Sequence, residues 1–433
     1  MLRTNSTRRQ FLKQSALAGA AVTAGLSLTR SVHAQGSGTI KVGLIGSGGR
    51  GSGAVVQALN TGKDVKFVAI GDYFKVRAQN VLNTLKAQYP EQVDVPDENV
   101  FDGFENYAGV IASEADVVLI ACAAKFHPLY SKKAVEAGKH VFVEKPNAID
   151  AAGIQTLEEA VALARQKNVS YLSGLHSRYC LSGQALVEQI HNGAIGEIRA
   201  IQSSFLRAPY GVRGAYNGIT ELDFQIYNQY MFHWLSGDDF IQSLVHNVDR
   251  MLWALGKVPK TADGMGGRAT SIGHQYGNVF DHHSVVFYFG EENCRLFAAC
   301  RTAAGCYDSY NDDILGTKGV ADWNSASIRG ETNWKYSGAN GYGHQEEQTA
   351  LFHAIRNGER IDSGDYVINS TMTAILGQMA CYTGQMISWD DLYKSKFLVK
   401  PAPEDCVAGM DPPVVPGPDG LYPVPVPGTN PWF

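Results

Sequence analysis

The sequence predicts an α/β protein: a doubly wound parallel sheet in its N-terminal part, then a C-terminal α+β domain with a large, mainly antiparallel sheet. Three observations predict it. A short apolar run enters a glycine-rich turn ahead of a helical stretch; buried-strand and helix patterns then alternate as far as residue 172; beyond residue 198, strand-like runs succeed one another without a helix between each pair. A composition of 45% hydrophobic and 18% charged residues suits such a globular chain.

Taken in order, the first segment is an address. Arg8-Arg9 leads into Phe11-Leu12, a small-residue apolar run from Ser15 to Leu28, and Val32-His33-Ala34, an A-x-A-like cleavage site before Gln35. This resembles a twin-arginine export signal, so residues 1–34 are expected to be removed and the mature protein to be periplasmic or otherwise exported. Ile40 to Ile45 and Val65 to Ile70 read as buried strands flanking a helix from Ser52 to Asn60. Ala115 to Ala121 is a further strand, Pro128 to Ala137 a helix, His140 to Val143 a strand, Ala151 to Lys167 a helix and Val169 to Leu172 a strand. Ile198 to Leu206, Ser284 to Phe289 and Arg295 to Ala299 are the longer strands of the second part, and 343–358 and 364–386 return to helical patterning. The last 33 residues hold ten of the 16 prolines and read as an extended tail, disordered or laid along a neighbouring surface. The expected organisation is therefore the signal at 1–34, a dinucleotide-binding domain at 36–176, a substrate and oligomerisation domain at 177–400, and a proline-rich tail at 401–433.

Charge narrows the partners. Five basic residues and no acid lie in the first 34, which leaves 32 basic against 42 acidic residues in the remainder. Such a surface repels phosphate backbones, so nucleic acid is not an expected partner. No stretch reaches the roughly 20 apolar residues of a membrane span. The seven cysteines are odd in number and widely spaced, without C-x-x-C or zinc-type histidine spacing, so no metal site is expected and mostly free, packed thiols are.

Gly46-Ser47-Gly48-Gly49-Arg50-Gly51 carries the chemistry of the first part. Its G-x-G-x-x-G spacing, between strand and helix, is the Rossmann dinucleotide fingerprint: a tight turn, close approach to a pyrophosphate, and close helix packing. Asp72 stands at the end of the next strand, where a carboxylate accepts ribose hydroxyls and repels a 2′-phosphate. NAD is thus the expected cofactor, with NADP the alternative because Lys75 and Arg77 are near.

Gly138-Lys139-His140-Val141-Phe142-Val143-Glu144-Lys145-Pro146 resembles the Gfo/Idh/MocA family of oxidoreductases, in which an E-K-P motif follows a G-K-H-V strand. The resemblance covers 115–146. It implies that Lys145 reaches the nicotinamide and the reacting hydroxyl, that Glu144 and His127 lie on the cofactor side, and that the substrate is a sugar or sugar derivative. An ammonium there can stabilise an incipient alkoxide. A second family motif falls in 237–249: the family has an Asp four residues before a His and another Asp three after it. This chain keeps His246, the implied acid/base, and Asp249, but has Gln242 at the first position, which can hydrogen-bond a hydroxyl but cannot orient an imidazolium by charge. His176, Arg178 and Tyr179 are expected to line the cleft, Arg178, Gln242, His246 and Asp249 to contact substrate, Tyr227 to Trp234 to offer a stacking platform, and His282-His283 to be structural. The resemblance also implies a homo-oligomer, dimer or tetramer, formed through the C-terminal sheet.

Export shapes the mechanism, because no pool of free nicotinamide cofactor exists outside the cytoplasm. The expected activity is hydride transfer on a carbohydrate with a tightly bound, internally recycled cofactor. An NAD-dependent glycoside hydrolase, working by transient 3-oxidation and elimination, is the alternative. A non-catalytic carbohydrate-binding protein on a Rossmann frame is the alternative of another class.

Overall fold

A computed structural model describes residues 38–213, 218–290 and 294–429. The expected export signal lies outside them.

Six strands, all parallel, form the first sheet: β1 (Ile40–Ile45), β2 (Val65–Gly71), β3 (Val100–Phe101), β4 (Val117–Ile120), β5 (His140–Val143) and β6 (Tyr171–Ser173), in the order β3-β2-β1-β4-β5-β6. The crossovers carry α1 (Gly49–Leu59), α2 (Lys75–Gln88), α3 (Asn106–Ala112), α4 (His127–Glu136) and α5 (Ala151–Lys167). The strands are nearly continuously buried, as a sheet covered on both faces requires. Strand order reverses between β1 and β4, which opens a crevice at their carboxyl ends. The α5 helix shows how local sequence sets the bounds. Asp150 accepts the amide of Gly153 at 2.7 Å as N-cap, and Asn168, left-handed at φ 55°, ends the helix.

The second sheet follows α6 (Leu181–His191). It comprises β7 (Ile198–Arg207), and then, after α7 (Glu221–Tyr227), α8 (His233–Ser236) and α9 (Val245–Leu255), the strands β8 (Thr261–Gly267), β9 (His282–Tyr288), β10 (Arg295–Thr302), β11 (Ser309–Gly316), β12 (Gly319–Asp322), β13 (Ser327–Gly330) and β14 (Trp334–Lys335). After α10 (Gly343–Arg356) and α11 (Gly364–Thr383), β15 (Ile387–Ser388) closes one edge, and α12 (Trp389–Ser395) follows. The order is β14-β13-β12-β11-β7-β10-β9-β8-β15, antiparallel except where β7 and β10 run parallel.

Alternation gives this sheet one apolar inner face. Leu296, Ala298 and Cys300 of β10 and His283, Val285 and Phe287 of β9 point inward, where α11 packs so tightly that a Cβ at Gly377 would stand 2.6 Å from Phe287 and 2.7 Å from Phe240. The outer face leaves Phe297 and Leu315 exposed. The α10 helix returns to the first sheet: Leu351 and Phe352 share a core with Val55, Leu59 and Phe67, Gln345 donates to the Gln57 carbonyl at 3.0 Å, and Arg356 pairs with Asp64 at 2.8 Å.

The proline-rich segment is laid along the surface as far as it is described. Tyr422 is buried against Phe232 and hydrogen-bonds Glu221, Gln225 donates to the Val414 carbonyl at 2.6 Å, and the amide of Gly428 donates to Thr383. All seven cysteines are free; Cys294, Cys300, Cys381 and Cys406 are buried and Cys306 is exposed. No described helix is long and apolar enough to cross a membrane.

Candidate active site

The glycine loop sits at the mouth of the crevice. Gly46 has φ +92°, and a Cβ there would lie 2.4 Å from the amide nitrogen of Cys122; one at Gly51 would lie 2.0 Å from the Gly46 carbonyl oxygen. Gly48 and Gly49 instead face open space. Together they begin α1 without a side-chain cap, which leaves first-turn amides to meet an anion. Asp72, 4% exposed, accepts the amide and hydroxyl of Ser47 at 2.8 and 2.9 Å and the amide of Phe74 at 2.9 Å, with Arg77 3.8 Å away. Gly46, Gly48, Asp72, Tyr73 and Phe126 line a cleft of about 550 Å³.

A second hollow, of about 340 Å³, shares Ala121, Cys122 and Gln229 with that cleft and is lined by Lys145, Gln242, His127 and Tyr230. Lys145 follows β5 and its Nζ donates to the main-chain carbonyl of Gln242 at 2.6 Å. That carbonyl belongs to a π-helical turn, Phe240–Leu244, which precedes α9 and adds one residue to the helical repeat. The expected i, i+4 stacking of Gln242 and His246 on one regular helix face is corrected by this turn. The side chain of Gln242 faces the hollow with Oε1 unpaired, and His246 lies in the first turn of α9 with Nδ1 buried and unpaired. Burial lowers the Lys145 pKa and, joined by the charge of Lys145, lowers that of His246 well below the usual histidine value.

Other expected residues do different work. His127 turns Nδ1 to the carbonyl of Pro146 at 2.7 Å and Nε2 to that of Cys122 at 3.1 Å, so it ties the Lys145 segment to the β4 loop. Burial lowers its pKa to about 4. Arg50 pairs with Glu144 at 2.8 Å. Arg178 and Asp249, expected at the substrate, are corrected to an internal brace. Asp249 is fully buried and accepts Arg178 at 2.8 and 3.0 Å and Ser370 at 2.8 Å, while the guanidinium lies over Tyr366 at 3.9 Å and Trp253 at 5.1 Å. A buried carboxylate needs such partners, and these occupy the acceptor oxygens it would otherwise offer a ligand. In the expected stacking platform Phe232 and Trp234 are core; Gln229 and Tyr230 of that run line the hollow, with Tyr230 stacked on Tyr210 at 4.3 Å. His283 pairs with Asp238 at 2.7 Å inside the core.

Tyr210, Asp239, Met231 and Tyr276 line a further hollow of about 320 Å³ that shares Tyr230. Asp239 is held by Arg207, Ser243 and Cys300. The sequence reading missed Tyr210 and Asp239, because Tyr210 lies in irregular backbone and Asp239 carries no motif of its own.

Residues 40–175 match a family described as an oxidoreductase family with an NAD-binding Rossmann fold, the Gfo/Idh/MocA family. Among curated proteins the chain is similar to the inositol 2-dehydrogenase of Salmonella typhimurium (26% identity over 289 residues, 66% of this chain and 74% of the relative) and to a glycosyl hydrolase family 109 protein of Solibacter usitatus (26% over 207 residues, 45% and 44%). Its fold is that of scyllo-inositol dehydrogenase from Lactobacillus casei, solved with NAD(H) and scyllo-inositol (TM-score 0.61, 19% identity, 81% of this chain and 99% of that one).

Proposed function

We propose that this chain, whose residues 40–175 match the Gfo/Idh/MocA family of NAD-binding oxidoreductases, oxidises a hydroxyl carbon of a sugar or sugar derivative, is exported, and keeps its cofactor bound and recycled within the catalytic cycle. The observation that carries this reading is the Lys145 ammonium in the hollow that adjoins the glycine-lined cleft, held by the Gln242 carbonyl four residues before His246, whose Nδ1 is unpaired. The residues fit the cofactor: the open faces of Gly48 and Gly49 suit a pyrophosphate, and Asp72 suits a ribose diol while repelling a 2′-phosphate, which favours NAD over NADP. A bound nicotinamide supplies the hydride acceptor.

The chain's own residues do the rest. Lys145, fixed by the Gln242 carbonyl, is set to hydrogen-bond the reacting hydroxyl and stabilise its developing negative charge. His246, neutral at physiological pH, can accept that hydroxyl's proton. Gln242 offers an amide to a neighbouring hydroxyl, and the stacked Tyr210 and Tyr230 offer ring faces to a pyranose. The inositol 2-dehydrogenase relative supports a polyhydroxylated ring as substrate. The exposed apolar residues Phe297 and Leu315 on the outer sheet face support a homo-oligomer through that sheet.

A second reading, transient 3-oxidation followed by elimination of an aglycone, is favoured by Gln242 in place of the family aspartate and by the glycosyl hydrolase relative. Incubation with candidate glycosides in heavy water separates the two. Net oxidoreduction yields paired oxidised and reduced sugars with no label at C2. Deuterium at C2 together with a released aglycone would overturn the oxidoreductase reading. Protein purified without nicotinamide absorbance, and unable to take up NAD, would instead point to a binding protein.

A further inference from the structure

Beside Lys145, three side chains converge that the proposed chemistry does not use. Glu144 ends β5, and His344 and Glu347 lie three residues apart in the first turns of α10, so that they share one helix face. One donor atom from each of the three lies within 4.8 Å of the others, and His344 Nδ1 is 3.2 Å from Glu347 Oε1. Glycines make the approach feasible. A Cβ at Gly174 would stand 2.7 Å from the Glu144 carboxylate, and one at Gly343 would stand 2.7 Å from the carbonyl oxygen of His176 and 3.0 Å from its Nδ1.

Electrostatics says that this cluster lacks a cation. Glu144 is 4% exposed and Glu347 is fully buried; Arg50 pairs with Glu144 at 2.8 Å, whereas Glu347 faces no described arginine or lysine at pairing distance and has the His344 imidazole at 3.2 Å. Glu347 Oε2 has no hydrogen-bond partner. Two buried carboxylates this close repel each other, so a proton or a metal ion must offset the second negative charge. The donor set decides between kinds of ion. Magnesium and calcium prefer all-oxygen cages, whereas one imidazole with two carboxylates suits a borderline divalent transition metal. The ring of His176 packs against that of His344, with centroids 4.0 Å apart, and limits its movement. The side chain of His344 is 18% exposed, which leaves an entry path to solvent.

We propose that Glu144, His344 and Glu347 bind one divalent transition-metal ion, of the zinc, cobalt or manganese class, that ties α10 to the end of β5. The inference is independent of the substrate, since it rests on a donor set and a charge imbalance.

Full-length protein stripped with a chelator and titrated with Co²⁺ and Zn²⁺ tests it. One equivalent is expected to bind saturably, Co²⁺ should give a visible absorption band of a low-coordinate nitrogen- and oxygen-ligated site, and the loaded protein should melt at a higher temperature than the stripped one. Glu347→Gln, which keeps the volume of the side chain, and His344→Ala should each weaken binding at least tenfold, with unchanged circular dichroism. Cys306→Ala should bind as the wild type does, because the exposed thiol is no ligand. Absence of saturable binding by the wild type, with melting indifferent to chelator, would overturn the proposal in favour of a proton shared by the two carboxylates. Undiminished affinity in both Glu347→Gln and His344→Ala would overturn it equally.

Discussion

The proposed activity turns on His246 and Lys145, and their environments set opposite demands. Each is disfavoured in its charged form by burial, but Lys145 gains Glu144 and Asp239 as nearby negative charges, whereas His246 faces Lys145, His176 and Arg250. The imidazole therefore stays neutral well below the ordinary histidine pKa, the state in which it can take a proton. Activity that depends on this neutral ring is present above its pKa and lost as pH falls through it. The acid limb of kcat/KM is accordingly expected below pH 6.5, the unperturbed histidine value, and a limb at or above it would contradict the assignment. Lys145→Ala and His246→Ala should each lower turnover by about 10²- to 10⁴-fold while nicotinamide remains bound, measured by rate and by cofactor released on denaturation. Both residues were legible in the sequence because motifs carry them. Glu347 and His344 were not, because their partner Glu144 lies far away in the chain and only the return of α10 to the first sheet brings them together.

Elements were read best where a single period dominates. The spans Ile40–Ile45, His140–Val143 and Ala151–Lys167 fall where apolar runs and caps predict, since burial on both faces or a defined N-cap leaves little choice. Reading failed where the period itself changes. The π turn at Phe240–Leu244 follows Asp238, which holds φ 111° and pairs with His283, and nothing in the local pattern announces the added residue. Depth was illegible for the same reason. Spacing put Asp249 on the helix of His246 but could not tell substrate side from core side, and the structure fills the core side with Arg178 and Ser370. Asp249→Ala would leave Arg178 without its charge partner at a site closed by Tyr366 and Trp253. A loss of stability of about 3–5 kcal/mol is expected, read from denaturant unfolding. A variant of wild-type stability with only KM raised would restore Asp249 to the substrate.

At the scale of the whole molecule the two sheets and the crevice were legible, since alternating helix and strand in one half and uninterrupted strands in the other admit few arrangements. The parallel pairing of β7 with β10 was not, because a partner so distant in sequence leaves no local trace. Nor was the course of the proline-rich segment, which Tyr422 fixes by inserting beside Phe232. The proposed export also belongs to the scale of the whole chain. Replacing Arg8 and Arg9 together by lysine should hold unprocessed precursor in the cytoplasm, seen by fractionation, and undiminished export would remove the argument for a trapped cofactor. In the proposed function this crevice moves hydride between a carbohydrate carbon and its own nicotinamide. A single-turnover experiment tests it most directly: purified protein loaded with NAD and freed of excess is mixed with a panel of sugars and cyclitols while nicotinamide absorbance is followed. The account predicts reduction of the bound cofactor by at least one of them, abolished in Lys145→Ala; a cofactor that stays oxidised with every polyol and glycoside would contradict it.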